Sequence, residues 1–165
     1  MRVAIGCDEA AFGLKEVLKK EIGLLGHEAM DLGVYDEAPS LYPDTAVKVA
    51  EAVSSGRCER GVLLCGTGIG MAMTANKVPG IRAAQAHDTY SAERAVKSND
   101  AQIITMGARV IGPELAKAIL RKFLESTFVP GPSSPKIEKM MEYERRYRRE
   151  AQAPQRDGEP PSTRN

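Results

Sequence analysis

The stretch of this sequence best suited to chemistry is Cys65-Gly66-Thr67-Gly68-Ile69-Gly70. A short apolar run, Val62-Leu63-Leu64, ends in that cysteine, and Met71 to Lys77 has the character of a helix. A buried strand, a tight loop and a helix start gather backbone N–H groups beside a thiol, an arrangement that cradles a phosphate or an oxyanion. The field that holds an anion there also favours thiolate. The plainer alternative is a small buried hydrophobe beside a turn. The glycine spacing matches neither G-x-G-x-x-G nor G-x-x-x-x-G-K-[ST], because no Lys–Ser/Thr pair follows.

Other groups stand where strands should end. Asp8 and Glu9 follow Val3-Ala4-Ile5-Gly6-Cys7, His87-Asp88 follow Ile81 to Ala86, and Arg109 follows Gln102 to Met106. Helical periodicity runs from Phe12 to Leu25, with apolar residues at 14, 17, 18, 22 and 25, and is closed by Gly26-His27. Ala29 to Leu32 is a weak second strand. Asp44 or Thr45 is a candidate cap for a helix to Val53, which Ser54-Ser55-Gly56 stops. Gly61 to Leu64 is the third strand. Thr89 to Val96 is a further helix, and Pro113 suits the first position of one carrying Leu115 to Leu124. Strands alternating with helices predict a mostly parallel, Rossmann-like sheet in a three-layer α/β/α sandwich. Right-handed crossovers then place Asp8, Cys65, His87-Asp88 and Arg109 on one rim, where open α/β sheets bind ligands.

The bulk properties narrow the class. A chain of 165 residues fits one domain, and its 42% hydrophobic content is ordinary for a globular protein. A formal charge of +1 gives no pull toward nucleic acid or an acidic membrane. The three cysteines form no C-x-x-C pair, so neither a zinc site nor a dithiol is indicated. No secretory leader and no spanning run is evident, and unpaired cysteines favour a cytoplasmic setting. Domain organisation is read as 1–150 with a charged helix over 136–149 that docks on this subunit or a partner. A polar, Pro-rich tail over 151–165 has the composition of a disordered segment.

Several motifs occur in a telling order: Gly6-Cys-Asp8, Tyr42-Pro43, Cys65-Gly-Thr-Gly-Ile-Gly70, Ala75-Asn-Lys77, Gly80-Ile-Arg82, Tyr90-Ser91, Asn99-Asp100 and Gly107-Ala-Arg-Val-Ile-Gly112. Together they resemble the family of type B ribose-5-phosphate isomerases and galactose-6-phosphate isomerase subunits, over residues 1–150. The resemblance implies an aldose–ketose isomerase of carbohydrate metabolism that acts on a small sugar phosphate through a cis-enediolate, with ribose 5-phosphate as the default. It implies no metal and no organic cofactor, and a homodimer, or a tetramer of such dimers, with sites at the dimer interface. Cys65 matches the base that moves a proton between C1 and C2, and Thr67 a residue near the ring oxygen. Substrate contacts fall on Asp8, Glu9, Tyr42, Gly66, Gly68, Ile69, Gly70, His87, Ser98, Asn99, Arg109 and Lys136. Asp8 and Asn99 match sugar-hydroxyl contacts. Arg109 and Lys136 match phosphate-holding cations, Lys136 in the partner's site.

Structural roles compete at several of these positions. Asp8 is either a helix cap or a sugar contact, Tyr42 packs or meets ligand, and Arg109 binds phosphate or an interface carboxylate. His87 is a rim residue or a proton carrier. Cys7 and Cys58 are structural or incidental, and His27 ends a helix at the surface. The sequence also departs from the family pattern. Glu9 stands where a histidine is common, Ser98 stands where the ring-opening histidine is common, and Pro132-Ser133-Ser134-Pro135-Lys136 replaces an Arg-rich segment. Either His87 takes over ring opening, or the substrate needs none, as with a tetrose or tetrulose 4-phosphate whose O4 is blocked. A non-catalytic phosphosugar-binding subunit is the alternative outside enzymology, and the intact Cys65 opposes it.

Overall fold

The computed structural model describes residues 1–152. The chain runs β1 (Arg2–Cys7), α1 (Phe12–Leu24), β2 (Glu28–Asp31), α2 (Tyr42–Ser54), β3 (Arg60–Cys65), α3 (Ile69–Ala75), β4 (Ala83–Gln85), α4 (Thr89–Asn99), β5 (Ile103–Gly107), α5 (Pro113–Glu125) and α6 (Ser134–Gln152). A 3-10 turn over Glu9–Ala11 joins β1 to α1. The five strands form one sheet in the order β2-β1-β3-β5-β4, every neighbouring pair parallel.

Both faces of the sheet are covered, which is why β3 and β5 are buried almost end to end and their burial does not alternate. One face packs Ile5, Leu64, Ile104 and Met106 against Leu18 and Ile22 of α1 and Ile119 and Phe123 of α5. The other packs Leu63, Cys65 and Ile103 against Val49 of α2 and Met71 and Ala75 of α3. Each fully buried Leu, Ile or Phe of these layers contributes about 1.5–3 kcal/mol. This is the three-layer Rossmann-like sandwich expected from the alternation of elements.

Strand order reverses between β1 and β3, because the chain leaves β1 toward β2 and returns to β3 on the other side. The helices that follow diverge there to opposite faces and open a crevice at the strands' carboxyl ends. Asp8 immediately follows β1 and Cys65 ends β3, and the Asp8 amide donates to Leu64 O at 3.1 Å. The two chemically interesting strand ends are therefore adjacent.

Several boundaries differ from the sequence expectation. Leu41 occupies the cap position of α2, not Asp44 or Thr45. Pro43 sits in its first turn, where its missing N–H is no loss, and Thr45 is buried inside the helix. α3 begins at Ile69, immediately after Gly68 in a left-handed conformation. α4 continues past Val96 to Asn99 and is ended by Asp100 at φ 49°. Ala151 and Gln152, assigned to the tail, continue α6. The rest of the expected tail, 153–165, lies outside the described residues. α6 buries no residue of its own, yet it meets this subunit through Glu144, which accepts the Gly80 amide at 3.0 Å. Among the described residues no helix is long and apolar enough to cross a membrane.

Candidate active site

The loop after β3 is held flat by its neighbours. Gly66 O accepts the Arg109 amide at 3.0 Å, Thr67 O accepts Gln85 Nε2 at 2.7 Å, and Gly68 O accepts Thr105 Oγ1 at 2.8 Å. At Gly68 the backbone turns at φ +80°, and an added Cβ would stand 2.9 Å from the Met106 carbonyl carbon. Gly107 meets Thr67 equally closely, with an added Cβ at 2.7 Å from its backbone. Two backbones touch here, so side chains are excluded.

Cys65 Sγ accepts the Gly68 amide at 3.0 Å. The thiol is 6% exposed, and that exposure faces an open cleft of about 460 Å3. Asp8, Tyr42, Cys65, Gly66, Thr67, Ile69, Gly70, Met73 and Arg109 line the cleft. The sulfur is thus neither sealed in the core nor free of donors. An N–H aimed at sulfur stabilises the anionic form of a thiol more than the neutral one. Cys7 is fully buried one strand away, and burial pushes its thiol up to about 11.

Asp8 aims at the same cleft without a partner. Its Oδ1 is buried and unbonded, and its side chain makes no capping hydrogen bond. Asp8 thus holds the cap position of the 3-10 turn without a side-chain capping bond, and one buried carboxylate oxygen has no donor. Burial first, then the charge of Glu9, raises the carboxyl of Asp8 above the usual range, against the pull of the Ala11 and Ala10 amides and Arg109. Arg109 is exposed, lies along Gly66, and forms no ion pair among the described residues. Tyr42 lays its ring over Gly70, where a Cβ would come within 2.6 Å of Cζ.

The remaining expected site residues divide. Glu9 is not among the residues lining the cleft; its Oε2 accepts both the amide of Ser40 at 3.1 Å and its hydroxyl at 2.7 Å. His87 Nε2 accepts the Gly107 amide at 2.9 Å, so His87 buttresses the strand beneath Thr67. Ser98 and Asn99 lie at the end of α4, at the opposite edge of the sheet: Asn99 O accepts Nε of Arg82, the residue just before β4 begins. A six-residue strand separates the two edges by roughly 17 Å. Ser98 Oγ is taken by Arg94, through Nε at 2.9 Å and through Nη2. Lys136 lies on α6 beside Met140 and Tyr143. One chain therefore brings together Asp8, Tyr42, Cys65, Gly66, Thr67, Ile69, Gly70 and Arg109, but not Ser98, Asn99 or Lys136.

Three contributors had no sequence signal strong enough to single out. Met73 lines the cleft four residues after Ile69, on the same exposed side of α3. Gln85 and Ser40 act through hydrogen bonds that only the fold reveals. Among the described residues no group of three or more His, Cys, Asp or Glu is placed to hold a metal.

Comparison with known proteins shows which family the chain resembles. A family model described as Ribose/Galactose Isomerase matches residues 3–140. A Listeria innocua protein named ribose-5-P isomerase B is 51% identical over 148 residues, spanning 90% of this chain and 100% of its own length. A Pectobacterium atrosepticum protein named D-erythrulose-4-phosphate isomerase is 53% identical over 147 residues, 87% of this chain and 95% of that one. The solved structure of Clostridium thermocellum ribose-5-phosphate isomerase B matches with a TM-score of 0.87 at 40% identity, over 89% of this chain and 99% of that one.

Proposed function

This chain belongs to the ribose/galactose isomerase family, and from that premise we propose that it is an aldose–ketose isomerase of a small sugar phosphate, with Cys65 as the base. The thiolate takes the proton from the carbon beside the carbonyl, the electron pair moves into a cis-enediolate, and the same sulfur returns the proton to the neighbouring carbon. The hydroxyl proton passes between O1 and O2, so atoms balance and no redox partner is consumed. What supports this reading is one observation: Cys65 Sγ stands at the carboxyl end of β3, open to a cleft and 3.0 Å from the Gly68 amide. Loop N–H groups suit the charge that develops on oxygen. The unpartnered Asp8 Oδ1 suits a sugar hydroxyl, and Arg109 suits the phosphate.

Ser98 and Asn99 stand at the far edge of their own chain and Lys136 does not line its cleft, so in this proposal all three contribute from a second copy. The proposed working unit is accordingly a homodimer, in the cytoplasm. Ribose 5-phosphate is the first substrate to test. A four-carbon sugar phosphate is the second, and Ser98 favours it. The residue at the ring-opening position is a hydroxyl already bonded to Arg94, and a 4-phosphorylated tetrose forms no furanose to open.

The test is turnover of ribose 5-phosphate and of erythrulose 4-phosphate in deuterated water, with label read at C1 and C2. Isomerisation with solvent exchange that vanishes in Cys65→Ala is expected. Turnover of neither sugar, or an unimpaired Cys65→Ala enzyme, would remove the proposal.

A further inference from the structure

The ten residues from Leu32 to Leu41 connect β2 to α2 without regular structure and are largely exposed. Their start is tied firmly. Lys15 Nζ, wholly buried, bonds both oxygens of Asp31 and the carbonyl of Val34, and Cys7 exchanges amide and carbonyl contacts with Gly33 and Val34. Their end has one side-chain tie to the sheet's rim: the carboxylate of Glu9, on the 3-10 turn after β1, accepting both donors of Ser40. Two residues beyond Ser40 comes Tyr42, whose ring covers Gly70 at the mouth of the Cys65 cleft.

We propose that Glu9 is a positioning residue that, through Ser40, fixes the end of this connection and so holds the Tyr42 ring over Gly70, setting the width of the cleft mouth. A carboxylate suits the task because one oxygen can accept two donors at once, and both bonds are charge-assisted. The Ser40 hydroxyl in turn holds the Glu9 carboxyl below its ordinary range. Glu9 has a second consequence in the same place, because its charge adds to the raised carboxyl of Asp8. Position 9 thus acts on two cleft residues without lining the cleft itself. This inference rests on the isomerase reading for its kinetic consequence but not for its structural one.

The experiment compares the full chain with Glu9→Ala, Glu9→Gln, Tyr42→Ala and the double variant Glu9→Ala/Tyr42→Ala. Amide exchange at Ser40, followed by NMR without substrate, should accelerate about tenfold or more in Glu9→Ala and less in Glu9→Gln, which keeps an acceptor oxygen. With the isomerised sugar phosphate, Glu9→Ala should raise KM roughly fivefold with kcat changed less than twofold, and Glu9→Gln should recover much of that rise. In the Tyr42→Ala background, Glu9→Ala should add only the smaller part that its charge exerts through Asp8. Unchanged Ser40 exchange in Glu9→Ala overturns the proposal. So does a full additional KM effect without the tyrosine, which would mean that Glu9 meets substrate directly. Absence of activity in the wild-type chain would strike the isomerase reading alone and leave the exchange result standing.

Discussion

Replacing Gly68 by alanine tests how the thiol is served by its loop. Two costs arise, and the structure separates them. A non-glycine residue at φ +80° pays about 1–2 kcal/mol for the left-handed backbone. The new Cβ would also stand 2.9 Å from the Met106 carbonyl carbon and 3.1 Å from its N and Cα. These are backbone atoms of a sheet strand and cannot swing aside, so overpacking adds about 1–3 kcal/mol. The sum, about 2–5 kcal/mol, is a large share of a stability of about 5–15 kcal/mol. It should lower Tm by roughly 5–15 °C in a chain of this size. Gly26→Ala is the control, because φ is +78° there and nothing lies within 4 Å of the added atom. It should show the first cost alone. Relief of the clash must carry the Gly68 amide away from Cys65 Sγ, so kcat should fall about 100- to 1,000-fold, as when a transition-state donor is lost. The two variants are compared by calorimetry and by sugar-phosphate turnover. If Gly68→Ala melts with Gly26→Ala and keeps its kcat, the contact is not rigid and the amide does not serve the sulfur.

Cys65→Ala should lower kcat at least about 100-fold, the scale of a lost general base, while Tm moves only a few degrees. Cys7 supplies a pH prediction. The folded thiol is held protonated to about 11 while the unfolded chain ionises it near 9, so stability falls as pH rises through that window, by about 3 kcal/mol in all. Denaturant melts of wild type and Cys7→Ala from pH 8 to 11 should diverge accordingly, the variant losing less. Lys15→Met leaves Asp31 with Lys19 and the Gly33 amide only, and should cost about 3 kcal/mol at pH 7. Burial alone would raise the Asp31 carboxyl, but hydrogen bonds from Lys15, Lys19 and Gly33 outweigh it and hold it low. Its contribution is therefore fully present above the ordinary carboxylate range and lost as pH falls below that range through the depressed folded value, so the gap between Lys15→Met and wild type should close in acid melts.

The sheet was legible because burial on both faces leaves a plain mark, an apolar run ended by glycine or a charged residue. The run Val62-Leu63-Leu64 and its cysteine showed where β3 ends, and that end carries the site. Helix limits were less legible, because caps depend on backbone shape more than on residue type. Leu41, a poor capping residue, opens α2 because Pro43 suits the first turn. Residues that act across distance were divided by topology. Asp8, Tyr42, Cys65 and Arg109 converge since each stands beside a strand's carboxyl end. Ser98 and Asn99 close a helix that runs back to the other edge, and motif order alone does not display that separation. Glu9 was expected at the substrate, but its carboxylate faces Ser40, a partner 31 residues away with no periodic signal to announce it.

The contact of one bare main chain on another, Gly107 beneath Thr67 and Gly68 beneath Met106, divides this molecule into a fixed bed and an adjustable frame. No side chain separates the two backbones in the bed, so any bulk added there dislodges the sulfur's neighbour. The frame is the opposite: Tyr42, Met73 and Arg109 project from exposed positions and can be swapped one at a time. A protein made this way can be taught new sugars from its edges inward while the atoms that exchange hydrogen stay where they are.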